Sequence, residues 1–373
     1  LTASEKILLI SNEFPPGPGG IGNHAYNLAK FLNKCGIVTD VLTVSDFVTS
    51  DQENEFDCRN NFSIQRHKRF EGRINTYYTR LKEIRKKAGN GGYTHLIISG
   101  RSSLLASLII PKNKTKFISI AHGGDVNAES LLEKSAVDRA LKRSDLIIPV
   151  SKFSASKISA SIDRGKVRVI PNGFDFDNID SLNIKKKTLT PGKLTLISVG
   201  TVWPRKGHHN VLKALPRLKR IFPELMYHIV GRTADMSLIN EVMNDELKPL
   251  VKIHGQIDNV SMQQLLNESD IFILLSETQK SGDFEGFGIA AIEANYFGLP
   301  AIGSRNSGLE DAINDGISGV IVDPKNVEEI LSAVNTITAK YENFSNGAIN
   351  WAKEHHWSMI IRKYIESIRG IAG

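Results

Sequence analysis

Residues 273–298 read ILLSETQKSGDFEGFGIAAIEANYFG, and this stretch decides what kind of sheet the chain builds. ILLS lies within the apolar run Ile271 to Leu275, short and unbroken like a strand buried on both faces. Glu285-Gly286-Phe287-Gly288-Ile289 turns the chain, and IAAIEANYFG continues as a helix. Strand, glycine-rich turn and helix in direct succession are one step of a parallel α/β sheet, whose ligands sit beyond the strand carboxyl ends. The N–H groups of Gly286, Phe287, Gly288 and Ile289, with the helix dipole behind them, suit an anion such as a diphosphate. Glu285 in the loop and Glu293, about two turns into the helix, bring two carboxylates to that site from different depths. Carboxylates bind sugar and ribose diols well, because each oxygen accepts a hydroxyl proton.

The same alternation extends in both directions. Leu194 to Val199, Tyr227 to Val230, Val251 to His254, Pro300 to Gly303 and Gly319 to Val322 read as strands, and Ser261 with Gln264 as a capping box. An earlier series comprises Lys6 to Ser11 (KILLIS), Val38 to Val44, Leu96 to Ser99, Phe117 to Ala121 and Leu146 to Val150, closed by Val167 to Pro171 (VRVIP). Asn23 to Cys35 reads as a helix with Ala25, Leu28, Ala29 and Leu32 on one face. The polar stretch 174–193 interrupts the pattern. The expectation is an α/β chain of two Rossmann-like, doubly wound domains facing across a cleft: residues 1–173, a linker at 174–193, and residues 194–356. Trp357 to Ile371 is an amphipathic helix free to pack back on the first domain.

Composition agrees with this scale. At 373 residues the chain is too long for one ordinary core, and 41% hydrophobic with 23% charged residues is globular usage. Apolar runs such as Leu104 to Ile110 are far shorter than the ~20 residues that span a bilayer. No signal-peptide pattern is visible, and Cys35 and Cys58 form no metal or disulfide motif, so a reducing cytoplasm is the expected compartment. A net charge of +7 is compatible with anionic substrates or a membrane surface. No nucleic-acid partner is expected.

Glu-x7-Glu within EGFGIAAIEA resembles the signature of the group 1 glycosyl transferases, retaining family four, which have the GT-B fold. EFPPGPGGIGNH is similar to their N-terminal glycine loop, HGGD to their first-domain histidine motif and VIPNGFD to their interdomain segment. VGTVWPRKG is similar to their phosphate-clamp loop, and GLPAIGSRNSGLEDAI to the strand and loop after the glutamate motif. SETQKSGDFEGFG resembles the longer loop of the phosphatidylinositol mannosyltransferases. The resemblance implies a nucleotide diphosphate sugar as co-substrate, GDP- or UDP-linked, and neither cofactor nor metal. It implies a glycan or lipid-linked acceptor, in cell-surface polysaccharide or glycolipid biosynthesis. By the same resemblance Glu293 holds the ribose hydroxyls, Glu285 the transferred sugar, and Lys206 the diphosphate. Residues 286 to 289 meet the diphosphate and sugar, His122 lies beside the reacting sugar, and Ile257 touches the nucleobase. Gly19 and Gly20 let the first-domain loop approach donor or acceptor. Where the family commonly has Arg after the clamp-loop glycine, Thr201 follows Gly200, and Arg205 is the candidate replacement cation. Trp203 is expected to pack under this loop.

Other patterns compete. Gly17, Gly19 and Gly22 spell the dinucleotide fingerprint G-x-G-x-x-G, with Asp46 as a possible ribose acid, but Pro15 and Pro16 are unsuited to its tight turn. Asp175-Phe176-Asp177 has the form of a metal-binding DxD, yet nothing in the sequence supplies a second ligand set, so a solvated acidic segment is the better reading. Retention of His122, Lys206 and both glutamates argues against a catalytically silent sugar-nucleotide binder. From Arg66 to Lys87, nine basic residues stand against Glu71 and Glu83, with Tyr77, Tyr78, Leu81 and Ile84 at helical spacing. Such a helix either packs on its sheet or lies on an anionic membrane, placing the chain at the inner membrane face.

Overall fold

The structure, a computed structural model, describes residues 5–17, 19–68, 72–90, 92–112, 114–127, 130–177, 179, 184 and 188–371. The chain packs as two compact units. One comprises the residues up to Gly173 together with those from Trp357 onward, the other Phe174–His356. The first holds β1 (Lys6–Ser11), β2 (Val38–Ser45), β3 (Ile64–Lys68), β4 (His95–Ser99), β5 (Lys116–Ala121) and β6 (Leu146–Pro149), in the order β3-β2-β1-β4-β5-β6. The second holds β7 (Lys193–Val199), β8 (Glu224–Val230), β9 (Val251–Gly255), β10 (Ile271–Leu274), β11 (Ala301–Ser304) and β12 (Gly319–Val322), in the order β12-β11-β10-β7-β8-β9. Every pairing is parallel. Each sheet repeats the same doubly wound order, reversing between its first and fourth strands. Ile7 to Ile10 and Ile271 to Leu274 are buried, as central strands covered on both faces require.

Departures from the sequence reading have local causes. β3, IQRHK, buries only His67 fully and offers no apolar run to recognise. VRVIP is not a strand; Val167 makes one isolated bridge to Ile147, and Val169 is exposed. The helix Gly20–Lys34 starts earlier than Asn23. Asp258, not Ser261, caps the helix Asn259–Glu268, accepting from the Ser261 N–H at 2.9 Å. The final helix, Trp357–Arg369, turns Trp357, Ile360, Ile361, Tyr364 and Ile368 inward and packs on Gly20–Lys34. Gly173 lies against the buried Trp357 ring, where a Cβ would come within 2.9 Å of it. At the start of the stretch 174–193, the Phe174 N–H donates to His355 O at 2.9 Å, and Phe176 stacks on Tyr296 at 4.1 Å within the second unit. Residues 178, 180–183 and 185–187 of that stretch lie outside the described residues, as do Arg69 and Glu71 of the basic segment.

Candidate functional site

In the second unit the strand order reverses between β7 and β10, so the loops after these strands open over one crevice. After β7 the chain runs from Gly200 to Gly207, with Pro204–Lys206 as a single tight turn. After β10 it runs to Glu285, which accepts hydrogen bonds from Lys206 Nζ at 2.5 Å and Arg205 Nη1 at 2.9 Å. Arg205 Nε also lies 2.9 Å from Asp283 Oδ2. Burial works to raise the Glu285 pKa, but Lys206 and Arg205 outweigh it and hold the carboxyl at about 2. The fold makes room for these cations with glycines. A Cβ on Gly200 (φ +145°) would come within 3.3 Å of Lys206 Cε, and one on Gly207 (φ +69°) within 1.7 Å of the Leu275 carbonyl oxygen. The Glu277 N–H donates to Arg205 O at 2.8 Å, fixing one loop to the other. Beneath them His208, which burial lowers to about 3 and so keeps neutral, meets Tyr227 Oη at 3.1 Å.

Gly288, left-handed at φ +92°, opens the helix Ile289–Tyr296, and no side chain caps that end. A Cβ there would lie 2.4 Å from Leu309 Cδ2. The preceding turn is braced from the other side: the Gly308 N–H donates to Glu285 O at 2.8 Å, and a Cβ on Gly308 would be 2.2 Å from Gly286 O. Phe287 is buried and anchors the turn. Glu293 is the fifth residue of this helix, one turn in rather than two, because the helix begins only at Ile289. Burial alone pushes its carboxyl up to about 7. Two carboxylates of one motif are thus held in opposite protonation regimes.

In the first unit His122 follows β5, and its Nε2 lies 2.9 Å from Ser99 Oγ at the end of β4. Asp125 accepts from the N–H groups of His122 at 3.1 Å and Gly123 at 2.7 Å, closing the HGGD turn. Burial lowers the His122 pKa, against the pull of Asp125. The His24 ring stands edge-on to His122 at 4.8 Å, and His24 Nε2 meets Tyr364 Oη of the final helix at 2.9 Å. Glu13 is pushed up by burial, with Asp125 adding to the rise. The sequence reading missed Glu13 and His24, although both stand inside the quoted glycine-loop motif.

Arg205, Lys206, Glu285 and the glycine turn converge. Ile257 follows the edge strand β9, three strand spacings or about 14 Å from β10 across the sheet. Gly20 is exposed, and a Cβ there would meet nothing within 4 Å, whereas Gly19 (φ +132°) would drive a Cβ to 2.1 Å from Glu13 Oε2. Trp203 is 43% exposed and does not pack under its loop. Asp283, in the same loop as Glu285, was missed because an acid among polar loop residues reads as solvated. The Asp175 and Asp177 pair does have a third neighbour, contrary to the sequence reading. His356 Nε2 lies 3.1 Å from Asp177 and 3.8 Å from Asp175, a group with the donor types of a metal site.

Known proteins match this architecture in the same order. Residues 18–178 match the family described as Glycosyltransferase Family 4, and residues 180–354 the Glycosyl transferases group 1. The chain is 27% identical to the amylovoran biosynthesis glycosyltransferase AmsK of Erwinia amylovora over 223 residues, 59% of this chain and 54% of that one. It therefore spans only about half the length of that relative. It is 23% identical, over 89% of each chain, to the GDP-mannose-dependent alpha-(1-6)-phosphatidylinositol monomannoside mannosyltransferase of Mycolicibacterium smegmatis. Anabaena Alr3699/HepE, solved in complex with UDP and glucose, superposes with a TM-score of 0.74 at 18% identity, covering 98% of this chain and 99% of that one. At that identity the likeness speaks for the fold alone. Two family matches running in tandem onto two Rossmann-like units lead to one conclusion: the chain belongs to the group 1 glycosyl transferases of the GT-B fold.

Proposed function

We propose that the chain is a retaining, metal-independent glycosyltransferase that moves a hexose or N-acetylhexosamine from a GDP- or UDP-sugar to a glycan or lipid-linked acceptor. Its role would lie in cell-surface polysaccharide or glycolipid biosynthesis. The observation that carries this reading is the pairing of Arg205 and Lys206 with Glu285 beside the uncapped helix at Gly288. A diphosphate arriving there takes over the two cations and releases the Glu285 carboxylate to accept hydroxyls of the transferred sugar. Glu293 accepts the ribose hydroxyls, and Ile257 lies at the nucleobase end. The leaving diphosphate takes the electron pair of its bond to the sugar's anomeric carbon, and Lys206 and Arg205 neutralise the growing charge. The acceptor oxygen bonds to that carbon on the same face, and its proton passes to a diphosphate oxygen. Glu285 is no covalent nucleophile in this scheme, because the acceptor oxygen itself bonds to the anomeric carbon; nor is a general acid needed, since the diphosphate departs without protonation by the protein. His122, with Gly20, is the first unit's proposed contribution, taken from the family resemblance.

Among the described residues, no helix is long and apolar enough to cross a membrane. Peripheral attachment at the cytoplasmic face, through the helix Arg73–Asn90, is part of the proposal. The direct experiment is a thermal-shift screen of UDP, GDP and their sugars, followed by transfer assays with each donor that stabilises the protein. Stabilisation by a nucleotide sugar without transfer or hydrolysis would favour a catalytically silent binder on the same fold.

A further inference from the structure

Arg205 is held by two carboxylates through two different parts of its guanidinium. Nη1 meets Glu285 Oε2 at 2.9 Å, and Nε lies 2.9 Å from Asp283 Oδ2. Lys206 Nζ reaches the same Glu285 oxygen at 2.5 Å. The two acids therefore have different duties when a diphosphate competes for the cations. Glu285 is exchanged for phosphate in the reaction proposed above. Asp283, paired with Nε, need not let go, and its contact leaves both Nη groups to the ligand.

The chain fixes both ends of this second pair without help from Glu285. On one side the Glu277 N–H donates to Arg205 O at 2.8 Å, and the Glu277 side chain is tied to the helix His208–Ile221 by Asn210 Nδ2 at 2.6 Å. On the other, the Gln279 N–H donates to Asp283 O at 2.8 Å, and the N–H of Gly282, left-handed at φ +82°, donates to Gln279 O at 2.9 Å. These bonds close residues 279–283 into a turn, and the buried Phe284 anchors its end. The Asp283 side chain is 47% exposed, against 12% for Glu285. An ion pair so open to water contributes little to stability. Its contribution is orientation. A long side chain loses rotamer freedom when it addresses a phosphate, and a carboxylate that holds it beforehand removes part of that cost from binding. The orientation of this residue matters because Thr201 supplies no cation after Gly200.

We propose that Asp283 is a positioning residue of the donor site: it holds Arg205 by Nε, so that the guanidinium stays directed at the diphosphate once Glu285 releases it. The inference rests on the donor reading above and adds to it a residue that acts only through another. The test is isothermal titration calorimetry on the full chain with UDP, GDP and the matching monophosphates. Parent, Asp283→Ala, Arg205→Met and the double variant are compared. For the diphosphate that the parent binds, Kd should rise about fivefold in Asp283→Ala and about tenfold in Arg205→Met, with no further rise in the double variant. The matching monophosphate should lose less than about twofold in each variant, because the β-phosphate that Arg205 addresses is missing. Thermal midpoints confirm folding; if Arg205→Met does not fold, Asp283→Ala against the parent decides alone. An unchanged diphosphate Kd in Asp283→Ala, equal losses for monophosphate and diphosphate, or additive losses in the double variant would overturn the inference and leave the donor site standing. A parent that binds neither diphosphate removes the proposed function and this inference together.

Discussion

Glu285 and Glu293 belong to one motif, yet their surroundings pull them apart, and each shift is measurable. Glu293 has an ordinary pKa near 4.5 when unfolded and about 7 when folded. Its raised pKa favours the folded state below pH 4.5, and that contribution is lost as pH rises through 7. Glu293→Gln should therefore be more stable than the parent at pH 8, by up to about 3 kcal/mol, with the difference vanishing below pH 4.5 in denaturant titrations. The same variant should bind nucleotide sugar more weakly, because Gln offers the ribose diol only one acceptor oxygen. Glu285 has the opposite sign: held at about 2, it stabilises the fold above pH 4.5 and loses that effect as pH falls towards 2. Glu285→Ala leaves the buried Lys206 without its carboxylate and Arg205 with Asp283 alone, a loss of about 3 kcal/mol. Saturating UDP or GDP should restore much of that loss if a diphosphate replaces the carboxylate. Equal nucleotide stabilisation of parent and variant would exclude competition for these cations.

At the scale of elements, the helix Ile289–Tyr296 depends on a backbone that only glycine adopts without strain. Gly288→Ala meets both a positive φ, worth about 1–2 kcal/mol, and the Leu309 side chain. Combining it with Leu309→Ala should destabilise less than the two single changes added, since the overlap disappears while the backbone strain remains. Urea unfolding of the four proteins measures that coupling. The helix Arg73–Asn90 settles part of its own ambiguity. Ile84 and Ala88 are buried with Leu81 packed against the core, while Tyr77 and Tyr78 stand 51% and 67% exposed and Lys82, Arg85 and Lys86 face solvent. Arg80 is not a free surface cation but the partner of Asp46. Exposed aromatic and basic groups on one helix are suited to anionic lipid, at about 1 kcal/mol per cation. Salt-sensitive binding to anionic but not neutral liposomes is expected, weakened when Arg85, Lys86 and Lys87 become Glu. Identical, salt-insensitive partitioning of both proteins would remove the membrane role.

For the whole molecule, the two sheets repeat one strand order; in the second the loops after β7 and β10 meet at the reversal point, whereas His122 of the first follows β5, one strand beyond it. The proposed reaction needs cations at the leaving diphosphate, and Arg205 and Lys206 supply them from the second unit itself. Activity is thus expected to survive EDTA, and the product to keep the donor's anomeric configuration by NMR. Loss on chelation with recovery on manganese would turn attention to Asp175, Asp177 and His356, whose ligand atoms lie within 4.8 Å of one another. An inverted product would exclude same-face attack.

What could be read from the residues alone was whatever repeats locally. Apolar runs marked the central strands, glycine before a helix marked the turn into Ile289–Tyr296, and helical spacing marked the inward face of Trp357–Arg369, because these patterns are set by neighbours in the chain. β3 escaped, since a polar edge strand carries no such period. Only the tertiary structure decided which polar residues act together. Lys206 and Glu285 are 79 residues apart and meet because β7 and β10 are neighbours. Arg80 and Asp46 meet because a helix returns over the strand ends. The family resemblance names Lys206 and Glu285 singly and gives no pairing, and in the sequence Arg80 and Asp46 are read apart; burial and a partner at hydrogen-bond distance are properties of the fold, and they decide which charges meet.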